Sequence, residues 1–102
     1  MSLYYLQKAI YQVNREPQAL LDYQQQRAAF IDRFDLCDEE QRALSEPDVG
    51  LLYVLGVNGQ LLMHFAACNG YDWPAYIRAM TEGLRQHGAV RDGLYACRGG
   101  VS

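Results

Sequence analysis

An all-α fold, a small multi-helical domain with a central apolar helical segment, is predicted for this chain by three observations. Apolar residues recur at three- and four-residue intervals through most of its length. Aspartate or proline stands at the head of several of these stretches, where a helix needs side-chain acceptors or tolerates a missing N–H. The middle stretch, 49–71, holds no Asp, Glu, Lys or Arg, and its apolar residues are mostly leucine.

Each element follows from such local signals. Leu3, Leu6, Ile10 and Val13, with Tyr4 and Tyr11 on a flank, predict an amphipathic helix ending near Asn14. Pro17 opens a second helix, whose pattern continues through Leu20, Leu21, Arg27, Phe30, Ile31 and Phe34 and permits a break around 24–26. Asp38 followed by Gln41 resembles a capping box for a short helix over 39–44, with an acidic first turn that suits the helix dipole. Ser45 with Pro47 and Asp48 marks another start, and Asp72 with Pro74 repeats the device. The helix over 74–86 places Ile77, Met80 and Leu84 on one face. The helical domain is expected over 1–88, with a loosely structured, glycine-rich tail over 89–102.

Asn58-Gly59 in the middle stretch is by itself a hairpin signal. The flanking LLYVLGV and QLLMHFA do not alternate as half-buried strands do, and their leucine, methionine and alanine favour helix. Gly56 and Gly59, three apart, would then form a flat strip for close backbone approach, and whether the helix breaks at Asn58 stays open. A membrane span is long enough but unfavoured, because Asn58, Gln60 and His64 interrupt it and Asp48 and Asp72 flank it. A helix apolar nearly all round must be enclosed, which points to a partner chain.

The chain has 102 residues and a net charge of −3, a balance that argues against nucleic acid or an anionic membrane as main partner. Cys37, Cys68 and Cys97 are odd in number and lack CxxC spacing, which speaks against a disulfide framework or zinc knuckle. Together with an N-terminus unlike a signal peptide, this predicts a cytoplasmic protein.

Catalytic chemistry is sparse. His64 and Cys68 share a helix face but lack a third ligand, and their ordinary role is a core-edge histidine and a small thiol. His64, His87 and a carboxylate are the residue types of a two-His, one-carboxylate iron site, although His87 next to Gly88 is also an ordinary dipole partner at a helix end. There is no GxSxG, GxGxxG or P-loop pattern.

Three stretches, ALLDYQQQRAAFIDRFDLCDEEQRAL, DVGLLYVLGVNGQLLMHFAACNG and AYIRAMTEG, together resemble the small α-subunit family of protocatechuate 4,5-dioxygenase, the class II extradiol ring-opening dioxygenases. The likeness covers about 3–83 and rests on packing and turn motifs. It implies a non-catalytic, all-helical subunit that packs on a larger catalytic subunit, closes over its active-site mouth and lines the substrate pocket. Ferrous iron and its ligands belong, on this resemblance, to the partner, so no catalytic or metal-binding residue is expected here. Trp73 matches the family's pocket aromatic on the loop after Gly70, with Tyr71 as the neighbouring alternative, and Asn58 matches the asparagine of a Gly-Asn step although Val57 replaces the usual glycine. Trp73 also reads as a plain hydrophobic anchor at a helix start.

The chain departs from protocatechuate-enzyme relatives in starting almost at its first helix and in running from Trp73 directly into Pro74 without an insertion. The implied lid is shorter, and catechol-type substrates from protocatechuate and gallate-like acids to aminophenols and biaryl catechols stay open. The competing class of function is a small helical interaction module, homodimeric or docked on another protein. An autonomous metalloenzyme is the third.

Overall fold

Leu6, Ile10 and Val13 lie one helical turn apart and are buried on one side of α1 (Ser2–Arg15), the first helix of a computed structural model that describes residues 2–90. It is followed by α2 (Pro17–Gln25), α3 (Arg27–Ile31), α4 (Asp38–Ser45), α5 (Val49–Val54), α6 (Gly59–Cys68) and α7 (Trp73–His87). No strand occurs among the described residues, so the all-α class is observed. The tail expected over 89–102 lies outside the described residues from 91 onward, as does Cys97.

The permitted break in the second helix is real. Gln26 leaves helical geometry (φ −134°, ψ 59°), and the chain resumes as α3, which ends at Ile31, earlier than the pattern through Phe34 indicates. Arg27 spans the break and accounts for a charged residue within an apolar pattern. Its Nε donates to the Tyr23 carbonyl at 3.1 Å, its Nη1 donates to the Ser45 carbonyl at 3.1 Å, and its guanidinium lies 4.2 Å from the Tyr23 ring centre. Beneath it Tyr23 is buried against Phe30 and Phe65, and its hydroxyl donates to the Leu44 carbonyl at 2.6 Å, joining α2 to the end of α4.

Two starts differ from expectation by a short shift of frame. Cys37, not Asp38, is the N-cap residue of α4, and Glu40, not Gln41, reaches back: its Oε1 accepts from the Cys37 N–H at 3.1 Å. Asp38, Glu39 and Glu40 all fall in the first turn, where the dipole favours them, because buried Leu36 anchors the chain just ahead of the cap. Of the cysteines among the described residues, Cys68 is free and exposed on α6. Ser45 closes α4 and does not begin the next helix; Asp48 does that work, its Oδ1 accepting from the Leu51 N–H at 3.1 Å.

The apolar middle is two helices, not a hairpin. Gly56, at φ 103°, turns the chain after α5, and Asn58 caps α6 by accepting from the Gln60 and Leu61 N–H groups at 2.9 and 3.2 Å. The Asn-Gly pair is therefore a cap and a first helical residue. Val49, Leu51, Leu52, Val54 and Leu55 are fully buried by the chain itself, with α4, α6 and α7 packed on α5. The α5 half of this stretch is thus enclosed by the chain itself, whereas Gln60, Met63, His64, Ala67 and Cys68 of α6 stay exposed.

The close backbone approach exists, but at other glycines. A Cβ on Gly50 would stand 2.9 Å from the Cα and 3.0 Å from the N of Gly83, and one on Gly83 would stand 2.5 Å from the Gly50 Cα. Helices α5 and α7 thus cross backbone to backbone. Around Gly59 a Cβ would meet nothing within 4 Å.

Gly83→Ala should lower stability by about 3 kcal/mol or more in urea unfolding, through overpacking against backbone that cannot yield, whereas Gly59→Ala should be neutral or stabilising by up to about 1 kcal/mol. Tyr23→Phe should lower stability at neutral pH by about 1–3 kcal/mol, because it leaves a buried carbonyl unpaired. Burial pushes the Tyr23 hydroxyl up to about 12 from its ordinary 10.0, against the opposing pull of Arg27. The native chain therefore holds this proton more tightly than the unfolded one, and stability present below pH 10.0 should be lost as pH rises through about 12. A pH series of unfolding curves should show this fall in the native protein and lack it in the variant.

Candidate functional site

The site residues expected from sequence are set by the two turns that flank α6. Asn58 is exposed, and beyond capping α6 its own N–H donates to Gln7 Oε1 of α1 at 2.6 Å. Its side chain is thereby committed to holding the start of the helix.

At the other end, Asn69 Nδ2 donates to the Phe65 carbonyl at 2.9 Å, Gly70 adopts φ 85°, and the Tyr71 N–H returns to the Ala66 carbonyl at 3.0 Å. A left-handed residue is needed there, which glycine supplies without strain. The turn aims Tyr71 back at the molecule: it is half-buried and its hydroxyl donates to the Pro47 carbonyl at 3.0 Å, tying the turn to the loop before α5.

Asp72 then caps α7, its Oδ1 accepting from the Ala75 N–H at 2.8 Å, and Trp73 becomes the first residue of the helix. Trp73 is 61% exposed, with its ring centre 5.6 Å from that of Tyr76. Sequence reasoning did not single out Tyr76. Its ring is buried, and its hydroxyl donates to the Gly59 carbonyl at 3.4 Å, beside Asn58. Burial, with Tyr53 nearby, raises the pKa of this hydroxyl and keeps it a donor. Tyr76 thus joins the start of α7 to the start of α6, with Trp73 and Asn58 at its two ends. Tyr71 faces a different loop and stands apart from this pair. The available signal was an aromatic residue one turn after the Asp72 cap on the inward side of α7.

Trp73 also heads a stripe. Ile77, Met80 and Leu84 follow at helical spacing; Trp73, Ile77 and Leu84 are exposed and Met80 is half-buried. The buried side of α7 is formed instead by Tyr76 and Gly83. The face that carries Ile77, Met80 and Leu84 therefore lies mostly outside the core, because the Gly50–Gly83 crossing turns the opposite side of the helix inward.

Titratable groups do not converge on this region. His64 and Cys68 are exposed on α6, His87 stands at the end of α7, and among the described residues no group of three or more His, Cys, Asp or Glu side chains is placed to hold a metal ion. No helix among the described residues is long and apolar enough to cross a membrane.

The family model described as aromatic-ring-opening dioxygenase LigAB, LigA subunit, matches residues 6–87. No curated protein and no solved structure matches the chain.

The capping role of Asn58 is open to measurement. Asn58→Ala should lower stability by about 1 kcal/mol in thermal or urea unfolding, and Asn58→Asp, which keeps the acceptor, should recover most of it. An unchanged midpoint in Asn58→Ala would remove the cap as the reason for asparagine at this position.

Proposed function

The chain belongs to the LigA subunit family of aromatic-ring-opening dioxygenases, and we propose that it acts as a non-catalytic small subunit that caps the active site of a larger, iron-binding subunit and lines its substrate pocket. The observation that carries this reading is the exposed stripe of Trp73, Ile77 and Leu84, flanked by Met80, in a chain whose own core is already complete. A folded domain gains nothing by leaving these side chains in water, whereas a docked one removes them from it at about 25 cal/mol per Å².

In this reading Ile77, Met80 and Leu84 supply the docking surface, and Trp73, at the end of the stripe, reaches the substrate. Opening a catechol ring with oxygen favours a site from which bulk water is excluded, and an apolar lid does that. The indole packs on the substrate ring, worth about 0.5–1.5 kcal/mol beyond area burial. Tyr76 positions the indole from behind. The iron that activates oxygen and the residues that hold it lie in the partner, and this chain contributes shape and exclusion of water. The substrate is a catechol-type aromatic, and with Trp73 leading directly into Pro74 the lid over it is short.

Purified chain mixed with a large, iron-binding subunit of an aromatic-ring-opening dioxygenase from the same source is expected to co-elute with that subunit and to raise its ring-opening rate. Ile77→Asp with Leu84→Asp should abolish co-elution without loss of helix content. Trp73→Ala should leave co-elution intact and lower kcat/KM about three- to tenfold. Stoichiometric iron in the isolated chain would overturn the proposal. So would a dimer of this chain that persists on dilution and leaves the large subunit's activity unchanged, a result that identifies a self-associating helical module instead.

A further inference from the structure

A second exposed face lies on α1, and no residue of the α7 stripe belongs to it. Tyr4, Lys8, Tyr11 and Arg15 follow one another at i, i+4, i+7 and i+11, so they line up along one side of the helix. All four are exposed, the two rings at 59% and 42%. The side of α1 turned to the core is carried by Leu6, Ala9, Ile10 and Val13. Helix α6 extends the exposed face, since its Gln60 and His64 share a groove with Tyr11 and Arg15.

The charge of this face is opposite in sign to that of the chain. The sequence carries −3, yet neither α1 nor α6 contains an aspartate or glutamate. The residues one helical turn from Lys8 are Tyr4, Tyr5, Tyr11 and Gln12, none of them a carboxylate. The two ion pairs found among the described residues, Arg33–Asp22 and Arg85–Glu82, use neither Lys8 nor Arg15. Glu16 follows Arg15 in the chain, but it stands at the head of α2 and makes no ion pair with it. The Arg15 guanidinium lies 5.5 Å from the centre of the Tyr11 ring, a contact that orders the side chain and leaves its charge uncancelled.

We infer that the Tyr4–Arg15 face of α1 docks an acidic segment of a protein partner, with carboxylates about 10 Å apart and an apolar side chain between them. Lys8 and Arg15 stand seven residues apart, roughly 10.5 Å along the helix axis, and acidic residues seven apart on a partner helix reproduce that spacing. Tyr11 lies between the two cations and supplies the apolar contact, which Tyr4 continues beyond Lys8. Charge distribution favours a short acidic segment over a long polyanion or an anionic membrane. Asp32, Asp35 and Asp38 are exposed elsewhere on the same small domain and repel an extended anionic surface, whereas a short segment keeps its carboxylates within about 8 Å of the cations, the screening length at physiological salt. The face is distinct from the one proposed to dock on the iron-binding subunit, and the inference stands independently of that reading.

The test is backbone NMR of the full chain, titrated with an acetylated and amidated alanine-based helical peptide that carries two glutamates seven residues apart and a leucine between them. Saturable shifts are expected at residues 4–15 and 60–64, with Kd on the order of 1 mM at low salt and about fivefold or more weaker at about 0.2 M salt. Lys8→Gln combined with Arg15→Gln should weaken binding about tenfold at unchanged thermal unfolding, because both side chains are exposed. A peptide with its glutamates on opposite sides of the helix should show the same loss against the native chain. The proposal is overturned by equal binding of the two peptides, by a double variant that binds like the native chain, or by the absence of shifts up to about 5 mM peptide. Tighter binding of a thymidine oligonucleotide, or of vesicles containing phosphatidylserine, assigns the face to nucleic acid or membrane and overturns it too. So does self-association of the chain that the double variant abolishes, which makes a second copy the occupant.

Discussion

Gly50 and Gly83 bring two helix backbones into direct contact, and the placement of α7 depends on that contact. Any side chain at either position would occupy space already filled by the opposing main chain. Helices usually pack 8–10 Å apart with side chains between them, and substituting a hydrogen for a side chain on both sides lets them come closer. Here the consequence is rotational as well as radial. With Gly83 and Tyr76 turned inward, Ile77 and Leu84 are carried to the surface and Trp73 to its edge.

Capping and tethering bonds fix the rest around that crossing. Asp48, Asn58 and Asp72 each satisfy the free N–H groups of a helix start, and each precedes one of the three helices that surround the crossing. Tyr71 and Tyr76 tie the α6–α7 turn and the start of α7 to Pro47 and Gly59. Tyr23 and Arg27 hold α2, α3 and α4 together from the other side. With α5 sealed among these elements, the apolar surface that remains is a feature of the exterior, and it is there that a subunit of a larger assembly has something to offer.

Helix existence was legible because its signals are local. The periodicity of α1, the break near Gln26, the cap at Asp72 and the helical character of 49–71 all depend on residues within a few positions of one another. The errors are of another kind. The α4 cap moved from Asp38 to Cys37 because buried Leu36, ahead of the cap, sets where the helix enters. Ser45 lost its role because it is still the last residue of α4, and Asp48, three residues on, caps α5 instead. Asn58, Tyr71 and Trp73 were visible as residues of interest, but their neighbours were not, and Tyr76, which links two of them, was passed over as one tyrosine among eight.

The sequence by itself determined an all-helical chain, the order of its helices and, through the likeness carried by three stretches, its family. Tertiary structure decided which glycines meet and which apolar residues are left outside. Gly56 and Gly59 looked like the pair for close approach because they are near in sequence, yet one is a turn and the other faces open space. Close approach is a property of two surfaces, and Gly50 finds its counterpart only when α7 is laid across α5. Ile77 and Leu84 fall on one face in any helical reading, but whether that face meets the core is settled by the crossing, a long-range contact that no local pattern encodes.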